Sequence, residues 1–165
     1  MLIGVLSDTH GTLPRAAFAE LADCDRIVHA GDIGDPGILV ELAGLAPVTA
    51  VLGNNDFREY GPDVDRVARP VIGGVPFLVA HTPDDLMREL MRPDDAAAPG
   101  SPAPRVAVHG HTHVPKIVSG RAAAPAARIV CPGSVTRPRG GSEPSVAKIV
   151  VEDGALCSVR LVPLA

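Results

Sequence analysis

The feature that most constrains this chain is the alternation of short apolar runs with amphipathic segments over its first 56 residues. "LIGVL" (Leu2–Leu6), "RIVHAGD" (Arg26–Asp32) and "PVTAVLGNND" read as strands, each too short and apolar for a surface helix. Between them lie "TLPRAAFAELADC" and "PGILVELAGL", which read as helices. In the first, Thr12 is placed to cap, Pro14 suits a first turn, and Leu13, Ala17, Phe18 and Leu21 share a face. A β-α-β-α-β order predicts parallel strands joined by crossover helices. The rest is richer in strands. "RVARPVI" and "VPFLVA" flank Gly73-Gly74, a hairpin signal, and "SVAKIVVE" and "ALCSVRLV" flank Asp153-Gly154, another. "RVAVHG", "PKIVSG" and "ARIVC" are further strands. "TPDDLMRELMR" is a helix with an acidic first turn and a basic last turn. A parallel half and a strand-rich half within 165 residues predict one α/β domain over residues 1–165, with two packed sheets and helices outside.

Composition narrows the class. One Tyr, three Phe and no Trp leave Val, Ile, Leu and Ala to build the core. A hydrophobic content of 46% with 21% charged residues is that of a soluble globular protein. A net charge of −4 argues against general nucleic-acid binding through counterion release. Cys24, Cys131 and Cys157 form no CxxC and read as reduced thiols of a cytoplasmic protein, with Cys24 and Cys157 as small core residues. The N-terminal apolar run is five residues long and ends near Asp8, so it reads as a strand and not a signal peptide. No apolar run reaches membrane-spanning length, so no membrane partner is expected. Two Pro/Ala-rich stretches, Pro93–Pro104 and Arg121–Ala127, read as mobile connectors, with a lid as the alternative for the first.

The polar residues cluster where strands end: "SDTHG" (Ser7–Gly11), "HAGDIGD" (His29–Asp35), "GNND" (Gly53–Asp56), His81, and "HGHTH" (His109–His113). Ligands of α/β sheets bind beyond the carboxyl ends of the strands. Strands lying side by side would therefore deliver Asp8, His10, Asp32, Asn54, His81, His111 and His113 to one edge. These groups are carboxylates, an amide and imidazoles without a thiolate, a mixed N/O set suited to Mn, Fe, Zn, Ni or Co. Seven donors exceed the needs of one tetrahedral ion, and two ions sharing a bridging carboxylate fit better. Gly11, Gly31, Gly53 and Gly110 fall where backbone turns or approaches closely. Two divalent ions would make this edge positive and attractive to phosphate despite the acidic chain.

In this order, "DTH", "GD", "GNND", a single His and "GHTH" resemble the calcineurin-like metallophosphoesterases, whose pattern is D-x-H, G-D, G-N-H-[DE], H, G-H-x-H. The chain is most similar to their small single-domain branch, the YfcE-like phosphodiesterases, which also includes the retromer subunit of eukaryotes. "PGSVTRPRGG" (Pro132–Gly141) resembles that branch's "NPGS…PR" loop. The resemblance implies a four-layer αββα sandwich, two mixed β-sheets flanked by helices. It implies two divalent ions, Mn²⁺ first and Ni²⁺, Zn²⁺, Fe or Mg²⁺ as alternatives. Asp8, His10, Asp32 and His113 would hold one, and Asp32, Asn54, His81 and His111 the other, with Asp32 bridging. It implies a phosphoesterase, a diesterase more than a monoesterase, in which a metal-bound hydroxide attacks phosphorus in line. A phosphate-ester small molecule or nucleotide-like compound would be the substrate, and homo-oligomers occur in the branch. Two positions depart from the pattern. Asn55 stands where the broad family has a His, and cannot transfer protons; Cys131 stands where the branch has Asn.

The candidate catalytic group is thus Asp32, Asn54, Asn55 and His109, with Arg137 and Arg139 as candidates to clamp a substrate phosphate. Plainer readings stand beside these. Asp8 and Asp32 could cap helices, His29 and His109 could be satisfied core or supporting residues, Asp56 could support its loop, and Asp35, Arg58 and the two arginines could be solvated charges. A second function is a scaffold that keeps the fold without the chemistry, as in the retromer subunit. A third, "HGHTH" as the H-x-H of an amidohydrolase barrel, fails because that motif opens a chain of over about 200 residues.

Overall fold

The computed structural model describes residues 1–57, 60–92 and 102–164. In chain order these form β1 (Leu2–Leu6), α1 (Arg15–Leu21), β2 (Arg26–His29), α2 (Pro36–Ala43), β3 (Val48–Ala50), β4 (Val67–Ala68), β5 (Val71–Ile72), β6 (Val75–Ala80), α3 (Pro83–Leu90), β7 (Val106–Val108), β8 (Lys116–Ser119), β9 (Arg128–Cys131), β10 (Ser145–Glu152) and β11 (Ala155–Pro163). One sheet has the order β11-β10-β1-β2-β3; the other runs β4-β6-β7-β9-β8, with β5 paired to β6. The predicted βαβαβ unit is present, β1, β2 and β3 being parallel neighbours. β6, β7 and β9 form a second parallel set. Antiparallel β10 beside β1 and β8 beside β9 make both sheets mixed.

Strand alternation builds three apolar layers. Ile3 and Val5 of β1, Val28 of β2, Phe77 and Val79 of β6, Val106 and Val108 of β7 and Ile149 of β10 meet between the sheets. Leu6 and Ile27 point the other way, onto Ala17 and Leu21 of α1 and Ile38 and Leu42 of α2. Leu78 and Ala107 do the same on the second sheet, onto Leu86 and Leu90 of α3. The result is the expected helix-sheet-sheet-helix sandwich. Lys148 of β10 is the charged side chain on the α1 side, its Nζ 2.9 Å from both Glu20 Oε1 and Asp23 Oδ1. The Asp153-Gly154 turn lies between β10 and β11, both residues at positive φ, as a two-residue hairpin requires.

Several local expectations are corrected. Thr12 does not cap α1: its N–H bonds to the Thr9 carbonyl, and the helix begins after Pro14 without a side-chain cap. Asp35 is exposed, as read from the sequence, but it has a further role: its Oδ1 accepts the Gly37 N–H at 2.7 Å and caps α2. With α2 capped by Asp35, the idea that Asp8 and Asp32 serve as helix caps loses its object. Phe18 lies at the surface, since the seven-residue α1 turns only Ala17 and Leu21 inward. Cys157 is exposed on the edge strand β11, whereas Cys24 is buried as expected. Arg121–Ala127 is packed, with a 3₁₀ turn at Gly120–Ala123 and with Ala123 and Ala126 buried under the second sheet. Arg58 and all of Pro93–Pro104 up to residue 101 lie outside the described residues.

Candidate metal centre

The seven candidate donors come from two sheets, not from one row of neighbours. Asp8 and His10 follow β1, Asp32 follows β2 and Asn54 follows β3. His81 follows β6, and His111 and His113 follow β7. The carboxyl ends of both parallel sets converge across the sandwich. Five of these residues hold left-handed backbone: Asp8 (φ 57°), His10 (47°), Asp32 (53°), His111 (66°) and His113 (60°). Among the described non-glycine residues only the hairpin residue Asp153 shares that conformation. Non-glycine residues avoid it, and such outliers gather at functional sites.

Two groups of donor atoms result. In the first, His113 Nε2 lies 3.1 Å from Asp8 Oδ1 and 3.3 Å from His10 Nε2, with His10 Nε2 3.9 Å from Asp8 Oδ1. In the second, His81 Nε2 lies 3.5 Å from Asp32 Oδ1 and 3.1 Å from Asn54 Oδ1, and His111 Nδ1 lies 2.9 Å from Asn54 Oδ1. Asp8 Oδ1 is also 4.0 Å from His81 Nε2, so it faces both groups. Donors bound tetrahedrally at about 2 Å around one ion stand roughly 3.3 Å apart, so these spacings fit the residues to divalent cations. A second observation points the same way. Asp8 Oδ1 is fully buried without a hydrogen-bond partner, while Oδ2 is satisfied by the Ser7 hydroxyl (2.6 Å) and the His111 N–H (3.1 Å). A bare buried carboxylate oxygen is costly unless a cation meets it.

The imidazoles are aimed by their far nitrogens. His81 Nδ1–H donates to the Ala30 carbonyl at 2.7 Å, and His113 Nδ1–H donates to the Arg137 carbonyl at 2.6 Å. Each bond fixes the tautomer with an unprotonated Nε2 turned to the carboxylates. Burial alone raises the Asp32 carboxyl, but His81 and Asn55 outweigh it and hold Asp32 well below the usual carboxylate range. Burial also works against a charged His81, yet Asp32, the Ala30 carbonyl and Asp8 push its pKa up. His10 is shifted down by burial, against the pull of Asp32 and Asp8, with Arg137 and His113 adding to the drop.

The remaining candidates fall into support roles and rim positions. Asn55 donates from its backbone N–H to Asp32 Oδ1 and from its side chain to Asp32 Oδ2. His109 turns to an apolar groove of about 410 Å³ between α3 and β8, lined by Leu86, Met87, Val118 and Ile129, and its Nδ1–H bonds to the Gly110 carbonyl. Arg137 and Arg139 are both exposed, with Arg137 near enough to His10 to lower its pKa. His29 is wholly buried and neutral, burial pushing it down to about 3. Its Nδ1 accepts the Gly31 N–H, so Nε2 carries the proton and donates to Thr9 Oγ1, which donates to the Ile33 carbonyl. This chain ties the Asp8–His10 loop to the Asp32 loop. Asp56 supports its loop, accepting the N–H groups of Ile33, Gly34 and Gly53 and the Tyr60 hydroxyl. The Cys131 thiol, shifted up by burial, packs 3.4 Å from Thr112 Oγ1 at the base of the His109–His113 loop.

Sequence reading missed Ser7, Thr9, Ser134 and Thr136. Ser134 Oγ (2.8 Å) and Thr136 Oγ1 (3.0 Å) both donate to the Asp8 carbonyl, and Ser134 Oγ accepts the Arg137 N–H. The "PGSVTRPRGG" stretch was the available signal for that clamp. Gly110 is where close approach demands glycine: a Cβ there would overlap Ser7 Oγ and stand 2.7 Å from Asp8 Oδ2.

The profile of the calcineurin-like phosphoesterase superfamily domain matches residues 1–154. A probable metallophosphoesterase of Methanocaldococcus jannaschii is 35% identical over 173 residues, covering 99% of this chain and 82% of that protein. Among solved structures, the phosphoesterase YfcE of E. coli superposes with a TM-score of 0.63 at 22% identity, covering 100% of each chain. Vps29 of Entamoeba histolytica in complex with zinc superposes with a TM-score of 0.70 at 17% identity, covering 98% of this chain and 97% of that one.

Proposed function

The chain belongs to the calcineurin-like phosphoesterase superfamily, and on that premise we propose that it is a dinuclear metal-dependent hydrolase of phosphate diesters. The observation that carries the reading is the buried, unpartnered Asp8 Oδ1 facing both groups of imidazole and carboxylate donors. Asp8, His10, Asp32 and His113 would hold one ion, and Asp32, Asn54, His81 and His111 the other. Divalent ions held there supply Lewis acidity toward phosphoryl oxygens and a nucleophile at neutral pH. The Entamoeba Vps29, which shares the fold, was solved in complex with zinc, and that supports divalent-ion binding by this fold; Mn²⁺ is our first choice.

The chain's own residues do the rest. The backbone clamps on Asp8 and the far-side bonds of His81 and His113 hold the donors in place before substrate arrives. Arg137 and Arg139, exposed on the Pro132–Gly141 loop, supply positive charge for a phosphate. Asn55 moves no proton and is engaged with Asp32, so the leaving group departs without an acid from this position. That favours diesters with stable leaving groups over monoesters.

Asn55 also supports a second reading, a metal-binding scaffold for protein partners. One experiment separates them. Chelator-stripped protein is resupplied with Mn²⁺, Ni²⁺, Zn²⁺ or Mg²⁺ and assayed on bis-p-nitrophenyl phosphate against p-nitrophenyl phosphate, with Asp32→Ala as control. Metal-dependent diester cleavage that disappears in the variant is the expected result. Absence of turnover with two ions bound by elemental analysis would favour the scaffold.

A further inference from the structure

The outer face of the second sheet is covered unevenly. Leu86 and Leu90 of α3 pack over Leu78 and Ala107 of β6 and β7. Beside α3, Val118 of β8 and Ile129 of β9 stand opposite one another as cross-strand partners. They form the floor of the groove of about 410 Å³ described above, with Leu86 and Met87 as one wall. That volume suits a small molecule.

One end of the groove is polar. Lys116 is the cross-strand partner of Cys131, and His109 follows Val108, the partner of Val130. Lys116 and His109 therefore flank Cys131 in one row across β8, β9 and β7. The row lies two residues along from Val118 and Ile129, so it shares their face of the sheet, and strand spacing sets the two Cα atoms about 10 Å apart. Both side chains line the groove. His109 commits its Nδ1–H to the Gly110 carbonyl, which leaves Nε2 as an acceptor. Lys116 is exposed and makes no hydrogen bond or ion pair among the described residues. No carboxylate lines the groove. Of the α3 acids, Asp85 is engaged by Arg88 and Glu89 by Arg69. A cation and an acceptor over an apolar floor complement a ligand with an anionic oxygen, a hydroxyl and an apolar chain.

We propose that this groove is a binding site, separate from the metal centre, for a small hydroxylated acid with an apolar tail. The tail lies on Val118 and Ile129 against Leu86 and Met87. The carboxylate meets Lys116, and the hydroxyl donates to His109 Nε2. None of the seven candidate metal donors lines the groove, so the site does not depend on the phosphoesterase reading. It adjoins the centre all the same. His109 and Thr112 belong to the loop that carries His111 and His113, and Pro83, also in the lining, follows His81 by two residues. A ligand seated there touches the loop on which two of the donors ride.

The test is calorimetry on the metal-free full chain, where no ion can attract a carboxylate. 3-Hydroxyoctanoate is the complete probe. 1,3-Octanediol removes its charge, octanoate its hydroxyl, and 3-hydroxybutanoate four methylenes of its tail. 3-Hydroxyoctanoate is expected to bind once per chain, the diol roughly ten-fold and octanoate about five-fold more weakly. 3-Hydroxybutanoate should lose about a hundred-fold. Lys116→Gln should bind the hydroxy acid and the diol equally yet still prefer the hydroxy acid to octanoate. His109→Leu should do the reverse, losing the hydroxyl preference and keeping the charge preference. Asp32→Ala should bind as the wild type does. Equal wild-type affinity for 3-hydroxyoctanoate and either eight-carbon relative would overturn the proposal, and so would binding that Asp32→Ala abolishes. A uniform loss on all probes in both groove variants would overturn it as well. Every arm is run without metal, so failure here leaves the phosphoesterase reading standing, and failure of that reading leaves this site standing.

Discussion

Asn55 grips Asp32 at both carboxylate oxygens, through its backbone N–H at 2.9 Å and its side-chain amide at 2.6 Å. A residue that replaces the family's histidine has thereby become a support for the expected bridging ligand. Asn55→Ala keeps the backbone bond and removes the other. Divalent-ion affinity is expected to fall about 10–100-fold, as for other partners of metal ligands. Metal titration by calorimetry checks this, and an unchanged affinity would reduce Asn55 to a rim residue.

Asp56 satisfies three N–H groups and a hydroxyl from a nearly buried position. Asp56→Asn turns an amide NH₂ toward at least one of those donors and removes the charge that strengthens the bonds. A loss of about 2–4 kcal/mol in unfolding free energy follows. Urea denaturation of metal-free protein measures it. A loss that appears only with metal present would instead mark Asp56 as part of the ion site.

Gly110 has no room for a methyl group, since Ser7 Oγ, Asp8 Oδ2 and the Ala30 carbonyl line its surroundings. Gly110→Ala must displace Ser7 or Asp8, and overpacking of this kind costs about 1–3 kcal/mol. Asp8 would move with it, so ion binding is expected to weaken beyond the loss of stability. Thermal unfolding with and without Zn²⁺ reads both: the variant should show a smaller metal-induced rise in Tm than the wild type.

Alkaline pH is expected to weaken the α1–β10 contact in two steps. Burial pushes the Cys24 thiol up to about 11, with Asp23 adding to the rise. An unfolded chain loses that proton nearer pH 9, so stability declines as pH climbs between the two values. Lys148 follows. Burial lowers its pKa, but hydrogen bonds and charge from Glu20 and Asp23 raise it above 10.5. Its contribution is therefore full below that value and is lost as pH rises through the folded pKa. Cys24→Ala should flatten the Tm curve from about pH 9 to 11, while Lys148→Met should flatten it only above pH 10.5. Parallel curves for all three proteins would place the alkaline transition elsewhere.

What was legible in the chain was whatever has a local signature. Leu2–Leu6 is a short unbroken apolar run, which announces a strand packed on both faces, with Ile3 and Val5 to one side and Leu6 to the other. Gly73-Gly74 and Asp153-Gly154 announce their turns by backbone chemistry alone. The seven candidate donors were found because each closes a strand. Their division between two sheets was not visible, because strand order is decided by pairing across the whole chain and not by any single run. The same holds for the Ser134 and Thr136 clamp on Asp8, a side-chain-to-backbone contact spanning more than 120 residues. Arg121–Ala127 misled for a related reason. Alanine-rich sequence looks unstructured when no partner is in view, yet small residues are what a shallow layer under a sheet accepts, as Ala123 and Ala126 show. Cys157 misled in the opposite sense, since β11 lies at the edge of its sheet and leaves that thiol in water.

The left-handed backbone shared by Asp8, His10, Asp32, His111 and His113 bears on how this chain could change over generations. Each of those residues pays roughly 1 kcal/mol for a conformation that glycine would adopt freely. Replacing any of them by glycine removes a donor and relaxes the chain at once. Loss of these donors is therefore not opposed by the fold: a variant with glycine at one of them would be expected to gain stability as it loses a ligand.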